Sequence, residues 1–176
     1  MKALSLWEPW ASLMAVGVKT IETRSFPTNY RGELAIHASK RFTREQRETL
    51  RSDPFWRSTP PLESIVTNLG HILCIVDLYD CKPTEYLIEY GLPVSLEGKN
   101  TYEYEFGNYE PGRWGWLTKD VRRLARPLPV VGRQGLFNAP IVECDNCDGV
   151  GLMEGWNRRD GHPCPKCWGD GIMLGL

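Results

Sequence analysis

No apolar run in the chain approaches the ~18 residues needed to cross a bilayer, and the N-terminus lacks the apolar stretch of a secretory signal. No membrane partner is therefore expected. Strong charge of either sign is missing too. The chain has 21 basic and 22 acidic side chains, a formal −1, which excludes a strongly basic surface of the kind that coats nucleic acid indiscriminately. Cysteines are few, and four of the six fall in one paired motif. Of the other two, Cys74 lies inside the apolar run 72–76 and reads as a buried small hydrophobe, whereas Cys81 follows that strand and reads as partly exposed. A reducing, cytoplasmic setting is the expectation. What remains is ordinary for a globular protein: 41% hydrophobic and 24% charged residues over 176 positions. That is enough for one core and a small appendage.

The paired motif carries the clearest chemistry. C-x-x-C-x-G-x-G begins at Cys144 and again at Cys164, with sixteen residues (148–163) between the inner cysteines. Two residues between thiols let one tight turn aim both sulfurs at one ion, and two such turns complete a tetrahedron. Cys144, Cys147, Cys164 and Cys167 are thus expected to bind one Zn²⁺. With every position filled by thiolate the site is closed, hence structural. The glycines after each pair suit the positive φ that thiolate-cradling turns need. Residues 142–176 hold six acids against three bases, which leaves 18 basic and 16 acidic side chains in 1–141. A polyanion would prefer the main body to the metal module, though only weakly.

Periodicity predicts strands over 2–7, 19–24, 32–38 and 70–79, the last being the most apolar and so central. Pro9 suits a first helical turn, and Trp10, Leu13 and Met14 recur at helical spacing until Gly17. Thr43 and Gln46 form a capping-box start for a charged helix reaching about Leu50. A short helix is expected over 83–90. Residues 52–64, with three prolines and no period, read as a loop or lid, and 93–112 as a polar and aromatic insertion. Short strands or turns are expected at 114–117, 121–124 and 128–131. The sum is a small mixed sheet, closed on itself, with helices outside. A boundary near Pro140 divides residues 1–140 from 141–176, whose glycine-rich sequence cannot build a core without metal.

A second pattern occupies residues 4–38: Leu4, Leu6, Trp7, Pro9, Trp10 and Ala11, then Gly17, Lys19, Glu22 and Arg24 spaced G-x-K-x-x-E-x-R, then Tyr30, Arg31, Gly32, Ile36 and His37. This resembles the ASCH (activating-signal-cointegrator homology) family, whose hallmark is that segment after a short helix. Residues 112–116 and 132–137 are similar to the C-terminal strands of bacterial and phage-type members. The resemblance spans roughly 2–140 and implies an α+β fold, a PUA-like small β-barrel with flanking helices, with a cleft between barrel and helix. The paired cysteines add a C-terminal zinc-clamped hairpin arm. ASCH proteins are similar to RNA-binding PUA domains, so the implied ligand is RNA or a nucleotide-like molecule. Some small bacterial members act as nucleases or as amidohydrolases on acylated cytidine. Candidate ligand-binding residues are Ser5, Trp7, Trp10, Lys19, Glu22, Arg24, Arg31, Arg113 and Trp114, with Lys19 and Glu22 as the catalytic pair if the cleft is an enzyme. Members resembling the amidohydrolases carry threonine where this chain has Glu22, a departure that counts against that chemistry.

The residues alone leave alternatives open. In a strict strand Glu22 and Arg24 share a face while Lys19 points away, unless a bend after Gly17 brings it round. A Glu22–Arg24 or Glu22–Arg31 ion pair fixing the strand fits the charges as well as a ligand site does. Trp7 and Trp10 fit base stacking or a core-facing helix entry; Trp114 and Trp116 share a strand face and fit a common core. Ser5 reads as a hydrogen-bond donor in the cleft or an ordinary strand serine. His37 reads as a structural histidine ahead of a general base, and the arginines at 122, 123 and 126 as a solvated face or an extension of a polyanion track. The cysteine repeats are similar to the zinc region of J-domain cochaperones, but no J-domain motif accompanies them, so only the hairpin geometry carries over. Three function classes follow: an RNA- or nucleotide-binding module, an enzyme in the same cleft (ribonuclease or amidohydrolase), and a protein-interaction module led by the zinc arm.

Overall fold

A computed structural model describes residues 1–91, 103–153 and 162–175. In chain order the elements are β1 (Lys2–Leu6), α1 (Trp10–Ala15), β2 (Ile21–Arg24), β3 (Gly32–Ala38), α2 (Arg44–Arg51), α3 (Phe55–Ser58), α4 (Leu62–Thr67), β4 (His71–Pro83), α5 (Thr84–Tyr90), β5 (Trp114–Pro129), β6 (Leu136–Asn138), β7 (Ile141–Glu143), β8 (Leu152–Met153), β9 (His162–Pro163) and β10 (Ile172–Leu174). Six strands form one curled sheet in the order β2-β5-β4-β3-β1-β6. The result is an α+β half-barrel: β2 and β6 are its two edges, where the sequence suggested a closed sheet. Among the described strands only β1 and β3 run parallel, with α1 and β2 in the crossover between them.

Alternation along β1 and β3 sends apolar side chains to both faces of the sheet. On one face Leu4, Leu6, Leu34, Ile36, Cys74 and Trp116 pack beneath Ala11 and Met14 of α1. On the other Ala3, Ala35, Ile72 and Ile75 meet Phe137, Ile141 and Ile172. Each fully buried Leu or Ile contributes about 1.5–3 kcal/mol. Ile141 and Ile172 belong to β7 and β10, which pair antiparallel, so the root of the cysteine arm shares the main core. Among the described residues no helix is long and apolar enough to cross a membrane.

Several local expectations are met. Thr43 Oγ1 accepts from Gln46 N while Gln46 Oε1 accepts from Thr43 N, a complete capping box on α2. Gly17 takes φ +74° where α1 ends. Others are not, for reasons of tertiary contact. Residues 52–64 are not a plain loop: Pro54 and Pro61 stand at the N-caps of α3 and α4, and Phe55 is drawn into a pocket with Leu13 and Phe106. Strand β2 starts at Ile21 because the amides of Val18 and Lys19 both turn back to Leu13 O. The three short segments after residue 113 are one strand, β5. Shifts in its pairing with β4 and a positive φ at Asp120 break its alternation. Part of the expected insertion lies outside the described residues. In the remainder Glu103 accepts from Thr20 N at 2.7 Å, Thr20 Oγ1 at 2.9 Å and Ile21 N at 3.0 Å, fastening the start of β2.

Candidate functional site

Ser5 of β1 stands opposite His37 of β3 in the parallel register, so both side chains leave the sheet on one face. That face is the floor of a cavity of about 950 Å³. Trp7 and Trp10 wall it from the entry to α1, Glu22, Arg24 and Phe26 from β2, Ser39 and Lys40 from beyond β3, and residues 131–135 from the link between β5 and β6. Five of the candidates from the sequence therefore share one hollow: Ser5, Trp7, Trp10, Glu22 and Arg24.

Lys19 does not line it. The side chain is 1% exposed; its Nζ donates to the Ile21 carbonyl and lies 3.6 Å from Glu22 Oε2. Arg24 Nη1 lies 3.6 Å from Glu22 Oε1. Glu22 is thus a carboxylate on the cavity wall held between a buried cation behind and a half-buried one beside. The bend at Gly17 does bring Lys19 round, but to the back of Glu22. The Glu22–Arg24 pair and the cavity-lining position exist together; the Glu22–Arg31 pair does not form. Arg31 instead reaches Asp80 at 3.0 Å; against the opposing effect of burial, the Cys81 amide, then Lys82 and Arg31, hold the Asp80 carboxyl below its usual range. Arg113 donates to Asn108 O and Thr23 O, both at 3.1 Å, tying β2 to the preceding turn. Trp114 packs against the core beside fully buried Trp116. Arg31, Arg113 and Trp114 line no part of this cavity.

The aromatic candidates separate by exposure. Trp7 is 51% exposed and carries the Arg41 guanidinium 5.3 Å from its ring centre. Trp10 leans edge-on against Phe55 at 6.0 Å, so one side serves the core. Between them, Glu8 is fully buried and accepts from Ser12 N (3.1 Å) and Ser12 Oγ (2.9 Å). Burial pushes its carboxyl up to about 7, against those two hydrogen bonds.

Sequence reasoning missed Phe26, Ser39, Lys40 and the loop 131–135. The loop bears Arg133 and two glycines, and only the pairing of β6 with β1 brings it over Ser5. A Cβ on Gly132 would sit 2.3 Å from His37 Cε1 and 2.7 Å from Ser5 Oγ, so only glycine allows that approach.

The four cysteines form a second, separate centre. All are buried, and their sulfurs lie within 4.8 Å of one another. Cys144 Sγ is 3.8 Å from Cys164 Sγ, and Cys147 Sγ 3.7 Å from Cys167 Sγ. A tetrahedron of ~2.3 Å Zn–S bonds spaces sulfurs by about 3.8 Å, so the donor set fits a metal such as zinc. The two repeats interlock with near two-fold symmetry. Cys144 N donates to Gly171 O and Cys164 N to Gly151 O, both at 2.8 Å, while the amides of Gly151 and Gly171 point at Cys147 and Cys167 Sγ, each at 3.3 Å. Gly149, Gly151, Gly169 and Gly171 all have positive φ, as the motif predicts. An amide donated by Asn146 pulls the Cys164 thiol down to about 6, whereas burial pushes Cys147 up to about 12.

The arm docks on β5. Asp170 accepts from Ala125 N at 2.7 Å and Arg126 N at 3.3 Å, Arg122 donates to the Asp170 carbonyl, and the Arg126 guanidinium lies 5.0 Å from the Trp168 ring centre. Two of the arginines expected to face solvent therefore hold the arm.

The family model for the ASCH domain matches residues 4–120. The chain belongs to the ASCH domain family. Structural neighbours include the crystal structure of ASCH from Zymomonas mobilis, at 16% identity and TM-score 0.42, covering 73% of this chain and 72% of that one. Two point mutants of the same bacterial protein also match: one at 15% identity and TM-score 0.39 over 73% and 74% of the chains, the other at 13% and 0.40 over 98% and 86%. No curated protein matches. Within this ASCH domain the cavity is bounded on one side by the hallmark G-x-K-x-x-E-x-R segment, of which Glu22 and Arg24 reach the wall and Lys19 braces them.

Proposed function

We propose that the ASCH cavity binds a nucleotide of RNA and that the cysteine cluster holds one structural Zn²⁺. The observation that carries the first half is the meeting of three kinds of group in one hollow of about 950 Å³. Arg24, Lys40 and Arg133 offer cations to phosphate. Glu22 offers an acceptor to a base edge. Trp7 offers an exposed ring, of the sort on which an unpaired base stacks for ~1–3 kcal/mol. A duplex would not enter such a hollow; a single splayed nucleotide would. The same cleft as an enzyme has less support, because Lys19, the expected base or nucleophile, is buried behind Glu22 and meets no guest. A partner-binding role for the arm likewise has less support than a staple, since Asp170 and Trp168 are engaged with β5.

Fluorescence anisotropy with a labelled single-stranded RNA tests the reading. With two or three phosphate contacts, log K should fall against log salt with a slope of about −2, and Arg24→Ala with Arg133→Ala should flatten it. Absence of saturable binding at 50 mM salt, or binding indifferent to both substitutions, would overturn it.

A further inference from the structure

His37 and Ser5 form a hydrogen-bond chain whose direction is fixed from its far end. His37 Nε2 lies 3.0 Å from the Val130 carbonyl oxygen. A carbonyl can only accept, so Nε2 carries the proton. His37 Nδ1 lies 3.0 Å from Ser5 Oγ. With one proton on the ring, Nδ1 is bare and must accept, so Ser5 donates its only hydroxyl hydrogen inward to the histidine. Burial lowers the pKa of His37, and the neighbouring His71 and Lys40 act in the same direction, against hydrogen bonds to backbone at Val130 and Gly70. The neutral ring is thus the resting form. Ser5 lines the cavity with its lone pairs uncommitted, and among the described residues no donor is hydrogen-bonded to them.

From this we infer that Ser5 is a specificity-determining residue that presents an acceptor to the guest, selecting a base that places an exocyclic amino group against it. The sequence alone suggested a serine donor; the direction of the chain reverses that. Gly132 closes over the arrangement. Its backbone lies so close over the pair that a Cβ would come within 2.7 Å of both His37 Nδ1 and Ser5 Oγ. Glu22, another acceptor on the wall, adds to the same polarity. A hydroxyl that could turn either way would accept a keto or an amino edge; one whose hydrogen is committed accepts only N–H. A site built to hydrogen-bond a donor rejects the analogue lacking it far more strongly than an apolar pocket rejects a missing methylene.

The inference rests on nucleotide binding in this cavity, and two measurements separate it from that reading. Long-range ¹H–¹⁵N correlation spectra of the full chain report the His37 tautomer without any ligand. A protonated Nε2 with bare Nδ1 is expected; a protonated Nδ1 would overturn the inference. Calorimetric titrations then compare nucleoside 5′-monophosphates with analogues whose amino group is replaced by hydrogen: adenosine with purine riboside, cytidine with its 4-deamino analogue, guanosine with inosine. In at least one pair the amino-bearing member should bind about tenfold more tightly, and Ser5→Ala should bring that ratio near one while binding of the analogue persists. Equal affinities in every pair, or a preference that survives Ser5→Ala, would overturn the inference and leave nucleotide binding standing. Failure of all six nucleotides to bind would overturn both.

Discussion

Lys19 Nζ sits 3.6 Å behind Glu22 Oε2, within a side chain only 1% exposed, and this makes the lysine of the hallmark segment a brace for the glutamate. Removing one member of a buried pair typically costs ~3–5 kcal/mol, because the other charge is left uncompensated. Lys19→Met should therefore lower the urea midpoint by a corresponding amount, and the double variant Lys19→Met/Glu22→Gln should recover part of it. If Lys19→Met unfolds at the parent's midpoint, the lysine is not structural.

Glu8 supplies a pH dependence of known sign. Its folded-state pKa of about 7 stands above the ordinary value of 4.5, so the folded chain holds the proton more tightly than the unfolded one. The group's contribution to stability is present below pH 4.5, declines as pH rises towards 7, and is constant beyond. The total change is on the order of 3 kcal/mol. Glu8→Gln removes the titration but keeps an acceptor for one of the two Ser12 donors. Urea unfolding at pH 5 and pH 8 should show the variant gaining on the parent by about 1–3 kcal/mol at the higher pH. Parallel behaviour at both pH values would contradict the buried-carboxylate account.

Much of this was legible in the chain. Alternation marked β1 and β3, the capping residues marked α2, and spacing marked the cysteine cluster together with the positive φ of its glycines. These are local signals. What escaped was set by distant contacts. Glu103 clamps Thr20 across 83 positions, the loop bearing Gly132 is brought to Ser5 by β6, and the arginines at 122 and 126 meet a docked arm where charge pattern alone suggests solvent. Arg31 and Arg113 look like cleft cations from the family resemblance, yet each is engaged on another surface. Lys19 was legible as important and misleading as to its direction, because the turn after Gly17 decides which way it points.

The cysteine cluster makes its own forecast. Metal analysis should find one zinc per chain, and chelation should free Asp170 from β5 and lower the melting temperature. Gly151→Ala should do the same with zinc present, since its Cβ would lie 2.2 Å from the Gly169 carbonyl oxygen. Unaltered melting after complete zinc removal would contradict a structural ion.

Gly132→Ala tests the cavity without touching any charge. Its Cβ would meet His37 at 2.3 Å, so the loop must lift from Ser5. Nucleotide affinity should fall at least tenfold, with RNA affinity following, while the zinc content stays unchanged. Undiminished nucleotide affinity would show that the loop is no part of the site.

Backbone amide and indole shift mapping with a short single-stranded RNA bears most directly on the central claim. Perturbations should gather at the Trp7 indole, Arg24, Ser39, Lys40 and residues 132–135, with the cysteine arm silent. Shifts centred on the arm or around Arg31 and Asp80, or none at saturating RNA, would contradict it.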